Sequence, residues 1–154
     1  MPNILAIALS GAAFFPAISG AAAEPKSLAE VEEFAFGGIG VAGTQSQGER
    51  LFRDLMGRDE AVISFKKILS NGTAAAKLYS LCGIRLLSEK DFATAAEPLL
   101  KSDEMVTTVG GCMISKQRVA DVAQKISAGS YDASLKNPTR WPDQKPKQTP
   151  PPSK

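Results

Sequence analysis

One segment of the chain is apolar on nearly every side, and it constrains the fold more than any other. Residues 74–87 follow Thr73, a residue type that caps helices, and the helix-ending pair Asn71-Gly72 lies just before it. Only three residues interrupt the apolar character of the segment: Lys77, Ser80 and Arg85. A helix that is apolar all round must be enclosed by other elements. The sequence therefore predicts a central helix here, with the rest of the chain packed around it.

Amphipathic patterns on both sides of this segment predict further helices. Ser46 and Glu49 have the spacing of a capping box and open a helix that Gly57 ends. Asp59 is the predicted cap of the next helix. Apolar residues recur at helical spacing in three more segments: Val62, Phe65 and Leu69; Phe92, Ala95, Ala96 and Leu99; and Val119, Val122, Ala123 and Ile126. Pro98 predicts a kink or a break near the end of the second of these.

A small β element is predicted near the end of the helical region. Residues 105–109 and 112–115 favour strands and flank Gly110-Gly111, which indicates a hairpin; one longer bent strand is the alternative. The glycine-rich residues 35–42 are predicted to be extended or irregular and are the candidate partner of this element. The predicted fold is mainly α, an irregular helical bundle or a stack of α-α hairpins with a small β element.

The beginning of the chain has the composition of a secretory signal peptide. Residues 3–23 carry no charge, are interrupted by Pro16, and have small residues at Ala21 and Ala23. We expect cleavage between Ala23 and Glu24, which would export the chain to the periplasm or the medium without stable membrane insertion. A retained anchor is the alternative, since about 20 apolar residues span a bilayer.

Length and charge predict one domain between this leader and a polar tail. Residues 1–23 form the predicted signal peptide, residues 24–135 a single helical domain, and residues 136–154 a disordered tail rich in proline and lysine. The tail carries five lysine and arginine residues against one aspartate, whereas the whole chain has a net charge of only +2. The domain itself is therefore mildly acidic, and we expect no binding to nucleic acid.

Two helical segments, residues 59–69 and 74–87, are separated by the short break Asn71-Gly72. In this spacing, residues 59–100 resemble the antiparallel helix pairs of HEAT-like α-α repeat proteins. No second clear copy follows, so the resemblance implies a helix pair and not a repeat array. The whole chain resembles small exported bacterial proteins, a likeness that implies no particular activity.

Cys82 and Cys112 are the two cysteines of the chain. An even cysteine count in an exported protein favours a disulfide, and two cysteines allow one intramolecular pairing. The bond would close a loop of about 31 residues and stabilise the fold by roughly 3.7 kcal/mol in the loop-entropy description. We therefore expect a disulfide between Cys82 and Cys112; two buried free thiols are the alternative.

The sequence predicts no catalytic residues, no cofactor and no metal site. The chain lacks histidine, which excludes Ser-His-Asp and Cys-His catalysis and histidine-based metal sites. Gly38, Gly40 and Gly43 fit G-x-G-x-x-G, but a nucleotide site needs a preceding strand and a helix that opens within the motif, so we interpret them as packing glycines. Ser64 and Lys67 fit S-x-x-K without the partner motifs of serine β-lactamases, which favours a solvated helix face.

These observations favour a non-catalytic role. We expect an exported helical domain that binds a protein partner in the cell envelope. Two alternatives make different structural demands. A small hydrolase of envelope polymers needs two carboxylates about 5–10 Å apart across a groove. A carrier of a small apolar ligand needs a dry internal cavity of several hundred Å³.

Overall fold

A central helix, α3 (Ala74–Leu87), is buried by the elements around it. In this computed structural model, which describes residues 25–137, residues 78–84 of α3 are all buried. The Thr73 hydroxyl accepts a hydrogen bond from the Ala76 N–H at 3.1 Å and so begins the helix as predicted. The same hydroxyl donates to the Val31 carbonyl, which ties the N-terminal segment to the start of α3. The predicted central position of this helix is confirmed.

Five further helices are present in residues 25–137: α1 (Gln47–Met56), α2 (Ala61–Asn71), α4 (Glu89–Leu100), α5 (Val119–Ser127) and α6 (Asp132–Lys136). A single 3-10 turn, Leu28–Glu30, precedes them. Helices α1, α2, α4 and α5 pack directly against α3. Glu60, and not Asp59, is the residue at the start of α2. Helix α4 continues through Pro98 without a break, because a proline in the last turn removes only one backbone hydrogen bond.

Three strands form a small sheet in the order β1-β2-β3: β1 (Glu33–Phe34), β2 (Met105–Gly110) and β3 (Met113–Arg118). β1 pairs with β2 in parallel, with Glu33 opposite Thr107. β2 and β3 are antiparallel, with Gly110 opposite Met113. The predicted hairpin is therefore confirmed and the single bent strand is wrong. Gly111 adopts a φ of 57° in the turn, a conformation that favours glycine.

The glycine-rich segment forms a tight loop that lies against the tip of this hairpin. Ile39 and Thr44 bond to each other through both backbone groups, at 2.8 and 3.1 Å, and the Gly40 N–H donates to the Gly111 carbonyl at 2.9 Å. A Cβ atom on Gly38 would lie 2.9 Å from the Gly43 Cα, so no side chain fits at Gly38. Gly40 and Gly43 have open space around them but adopt φ values of 67° and 60°, which favour glycine. Local backbone geometry therefore accounts for the glycine spacing, and no helix opens within the motif.

Aromatic rings connect the sheet to the helices. Phe34 on β1 lies 4.9 Å from the ring of Tyr79 on α3, and Phe36 lies 5.2 Å from the ring of Phe52 on α1. Phe52 in turn contacts Phe65 on α2 at 5.7 Å. Tilted and edge-to-face contacts of this kind add to the free energy gained from burial alone. The core is thus continuous from the sheet through three helices.

The described part of the chain ends in a helix that the sequence pattern did not reveal. Helix α6 buries Leu135 and ends at Lys136, one residue inside the predicted tail. Its single apolar anchor is too short a signal to show periodicity. The predicted leader, its cleavage position at Ala23 and Glu24, and the remainder of the predicted tail lie outside residues 25–137.

Replacement of Gly83 by alanine tests the packing of α3 against α2. A Cβ atom at this position would lie 2.3 Å from the Phe65 ring, so the ring or the helix must move. We expect Gly83→Ala to lower the free energy of unfolding by about 2 kcal/mol, because overpacking outweighs the better helix propensity of alanine. Urea unfolding followed by circular dichroism measures the change.

Gly57→Ala is the matched control. The nearest atom to a Cβ there is 3.8 Å away, and its φ is negative. This variant should unfold within about 0.5 kcal/mol of the parent chain. Equal stability of the two variants would contradict the tight contact between Gly83 and Phe65.

Candidate interaction surface

A buried polar cluster lies between α1, α3 and β1. The Tyr79 hydroxyl donates to the Ala35 carbonyl at 2.8 Å and accepts from the Ala35 N–H at 2.9 Å. Ser46 also donates to the Ala35 carbonyl, at 2.9 Å, and accepts from the Glu49 N–H at 2.9 Å. Burial raises the pKa of Tyr79, so its phenol stays neutral. Because both hydroxyls bond to backbone groups, we assign them to holding the fold together and not to chemistry.

Glu49 and Arg53 extend this cluster toward α6. The Glu49 carboxylate is fully buried, accepts from the Gly37 N–H at 3.2 Å and pairs with Arg53 at 3.2 Å. Arg53 also donates to the carbonyls of Ser134 and Leu135, each at 2.6 Å. One guanidinium therefore neutralises a buried charge and holds the last helix. A carboxylate without solvent access cannot reach a substrate, so we assign this cluster to stability.

The carboxylates that line the groove beside α4 carry ion pairs. A cavity of about 530 Å³ contains Asp91 and Glu104 in its lining. Lys66 pairs with Asp91 at 3.0 Å, and Lys77 pairs with Glu104 at 3.6 Å. Hydrogen bonds from Ser88 and Lys66 hold the pKa of Asp91 below its usual range. A general acid in glycoside hydrolysis needs a raised pKa, so Asp91 does not suit that role.

A second cavity, of about 810 Å³, lies between the N-terminal segment and α1. Four charged residues contribute to its lining: Lys26, Glu30, Glu32 and Glu33. A carrier of apolar ligands requires a dry, apolar interior, which this charged lining does not provide. Within residues 25–137 no group of three or more acidic or cysteine side chains is placed to hold a metal ion.

The S-x-x-K pair lies on one face of α2. Ser64 is half-buried, Lys67 is exposed, and both border a groove of about 460 Å³ together with Asp54 and Arg58. The hydrogen bonds of the described residues do not join Ser64 to Lys67. A serine nucleophile needs a base within hydrogen-bond reach, so this pair has the geometry of a polar helix surface.

The predicted disulfide between Cys82 and Cys112 is absent from the structure, where both residues are free thiols. Cys82 is fully buried on α3, whereas Cys112 is exposed in the turn between β2 and β3. The physical reason is the direction of the hairpin. Val106, near its base, is buried in the core, and the strands then carry the turn outward into solvent. The number of residues between Cys82 and Cys112 could not show that the fold keeps the two thiols apart.

The feature that stands out is an exposed apolar surface at the tip of the hairpin. Met113 is 77% exposed and Ile114 is 71% exposed. Val41 is fully exposed and follows Gly40, which bonds to Gly111 at the same tip. We call Val41, Met113 and Ile114 the hairpin surface. Met113 and Ile114 are neighbours in β3 and so project from opposite faces of the strand, which leaves the end of the hairpin apolar on both sides. Several exposed apolar side chains at one end of an element are typical of a contact surface, whereas single ones need no explanation.

A small cleft lies beneath the hairpin surface. It has a volume of about 220 Å³ and lies between the sheet and the chain near α6. Its lining includes three aromatic rings and several strand residues: Phe34, Phe36, Tyr131, Thr108, Met113, Ser115 and Gln117. Thr108 and Ser115 bond through their hydroxyls at 2.9 Å, and Gln117 donates to Thr108 at 2.7 Å. The cleft therefore combines an aromatic floor with a polar wall that is bonded within itself.

Sequence reasoning located the hairpin but not its exposure. Met113 and Ile114 were included in a β-favouring run, and such runs are commonly half-buried. The polar residues Lys116 to Arg118, which follow in the same strand, could have indicated this exposure. They leave β3 without an apolar face to bury. Val41 could not be placed at the tip, because its position depends on the loop bond between Gly40 and Gly111.

Alkylation tests the positions of the two thiols. In the native chain, iodoacetamide should modify Cys112 and leave Cys82 unmodified, because burial raises the pKa of the Cys82 thiol and excludes the reagent. Mass spectrometry before and after unfolding in urea distinguishes the two sites. If neither cysteine reacts until a reductant is added, the two thiols are bonded, which would contradict the free, exposed thiol of Cys112.

Arg53→Met tests the buried ion pair. The change removes the cationic partner of the buried Glu49 carboxylate and the donors to Ser134 and Leu135, so we expect a loss of about 3 kcal/mol in unfolding free energy. Lys101→Met, which breaks an exposed pair with Glu97, should cost less than about 1 kcal/mol. Similar denaturation midpoints for both variants would refute the stabilising role of Arg53.

None of the helices in residues 25–137 is long and apolar enough to cross a membrane. Comparisons of the chain with protein-family models, with curated proteins and with solved structures found no match.

Proposed function

We propose that this chain is an exported, non-catalytic domain that binds another protein through the hairpin surface. The observation that carries the proposal is the exposure of three apolar side chains, Met113, Ile114 and Val41, at the tip of the hairpin. Methionine and branched apolar side chains gain free energy when a partner covers them. The neighbouring cleft of about 220 Å³ offers a place for an apolar anchor from that partner.

The attachment of the hairpin to the core supports a binding role. β2 pairs with β1, whose Phe34 is fixed between aromatic rings, and Gly111 bonds to the loop at Gly40. A surface that is already held in place loses little conformational entropy on binding. The helix pair over residues 59–100, which resembles HEAT-like repeats, would be the scaffold behind it.

We infer the compartment of the protein from the predicted signal peptide. An uncharged apolar segment ending at Ala23 is typical of export, and it would place the domain in the periplasm or the medium. A partner in the cell envelope is the corresponding expectation. The domain would act without a cofactor or metal.

Crosslinking in the envelope tests the proposal with a matched pair of variants. The full chain is expressed with its own leader and crosslinked in intact cells, and captured proteins are compared between Ile114→Thr and Ile63→Thr. Both residues are exposed isoleucines, at 71% and 66%, but Ile63 lies on α2. We expect Ile114→Thr to reduce the captured partner about tenfold and Ile63→Thr to leave it unchanged.

Met113→Ser should act in the same direction as Ile114→Thr, because both residues belong to the hairpin surface. Circular dichroism confirms that each variant is folded. If the captured proteins are the same in all three variants and in the parent chain, the hairpin surface is not the binding surface.

A further inference from the structure

One edge of β3 has no neighbouring strand among the described residues, so the backbone groups along that edge form no hydrogen bonds within the sheet. β3 is an edge strand, last in the order β1-β2-β3, and its side chains are mostly exposed. The Val119 N–H donates to the Glu104 carbonyl at 2.8 Å, which makes this pair a hydrogen-bonded one. Hydrogen-bonded pairs alternate with non-bonded pairs along an antiparallel ladder. The backbone N–H and C=O groups of Ile114 and Lys116, and the N–H of Arg118, therefore point away from β2, toward the open edge. The Arg118 carbonyl belongs to the first turn of α5.

The two faces of β3 differ in chemistry. Ile114, Lys116 and Arg118 share the outer face, where two cationic side chains follow the exposed isoleucine. Arg118 pairs with Asp121 at 2.9 Å, and Lys125 bonds to Gln117 on the other face of the strand. Lys116 is exposed and forms no ion pair with another described residue, so the outer face next to the open edge presents its positive charge.

The inner face of β3 covers the cleft. The side chains of Met113, Ser115 and Gln117 line it, and the aromatic rings of Phe36 and Tyr131 lie on its other side. A strand added to β3 would place every second side chain over this cleft and the intervening ones beside the cationic residues. On an incoming strand, the side chains over the cleft would therefore be apolar, and those on the outer face would be acidic.

We propose that β3 receives an extended segment of another protein as a fourth strand, in which acidic and apolar side chains alternate. Main-chain hydrogen bonds to Ile114, to Lys116 and to the Arg118 N–H hold the segment, and its apolar residues cover the cleft beneath the hairpin. Its acidic residues lie beside Lys116. This inference rests on the proposed function and specifies the kind of partner that the hairpin surface accepts.

A second copy of the chain fits the same edge poorly. If two β3 strands paired about Lys116, the two ammonium groups would lie opposite each other, and like charges in that position destabilise a sheet. Lysine in an edge strand is a common means of preventing self-association. Charge therefore favours an acidic partner segment over a second β3.

The binding test uses the full chain and two synthetic ten-residue peptides. In one peptide valine and glutamate alternate; in the other valine and lysine alternate. We expect the glutamate peptide to bind at least tenfold more tightly and to slow hydrogen exchange at the amides of Ile114, Lys116 and Arg118. Equal binding of both peptides, or protection confined to other amides, would overturn the proposal.

Two variants at Lys116 separate the backbone contribution from the charge. Lys116→Pro removes an N–H that points away from β2, so the hairpin ladder is retained, while the incoming strand loses a hydrogen bond and meets the proline ring. It should weaken binding of the glutamate peptide about tenfold. Lys116→Thr keeps the N–H and should weaken it only about two- to fivefold.

Lys116→Glu is the control for misfolding of the Lys116→Pro variant. It reverses the charge at an exposed position and leaves the backbone unaltered, so we expect it to fold. It should shift preference toward the lysine peptide. Unchanged preference would overturn the assigned partner chemistry. Sedimentation of the parent chain as a dimer that Lys116→Pro dissociates would instead assign the edge to a second copy.

The envelope crosslinking experiment distinguishes this inference from the proposed function. If Ile114→Thr loses the partner but Lys116→Pro retains it, the hairpin surface binds protein and strand addition is wrong. Loss of the same partner in both variants supports strand addition. Retention of all captured proteins in both variants would overturn the proposed function and the inference together.

Discussion

The hydroxyl of Tyr79 bonds to both backbone groups of Ala35, and the arrangement of the sheet depends on this contact. β1 is only two residues long and could not hold its position through pairing alone. Tyr79 on the central helix fixes the chain directly after β1, and Ser46 at the start of α1 bonds to the same carbonyl. One tyrosine therefore joins the sheet to two helices. Because β2 and β3 are built outward from β1, the position of the exposed hairpin follows from this buried contact.

The helical part of the fold could be predicted because its signals are local. The caps Ser46 and Thr73 act on the first turn of their own helices, and the apolar composition of α3 requires burial whatever surrounds it. The hairpin was also predictable, since Gly110 and Gly111 provide the turn within the chain segment itself. In each case neighbouring residues contain the information.

Contacts between residues that are distant in the sequence could not be predicted, because neighbouring residues contain no information about them. Glu49 has the spacing of a capping residue, but its burial depends on Arg53 and on Gly37, which comes from a loop 12 residues earlier. Two cysteines after a predicted signal peptide favour a bond, yet the outward direction of the hairpin separates Cys82 from Cys112. The open edge of β3 is likewise a property of strand order, which a single sequence does not specify.

The contacts of Arg53 set a condition on when the fold can be completed. Its guanidinium on α1 bonds to carbonyls at residues 134 and 135, and β1 near the beginning pairs with β2 more than 70 residues later. Residues 33–53 therefore obtain their final hydrogen bonds only after the C-terminal end of the domain has been made. Such long-range closure slows folding relative to a bundle with local contacts. In the export that we propose, a chain threaded through a membrane from its N-terminus would stay open during passage and close only when residue 135 had emerged.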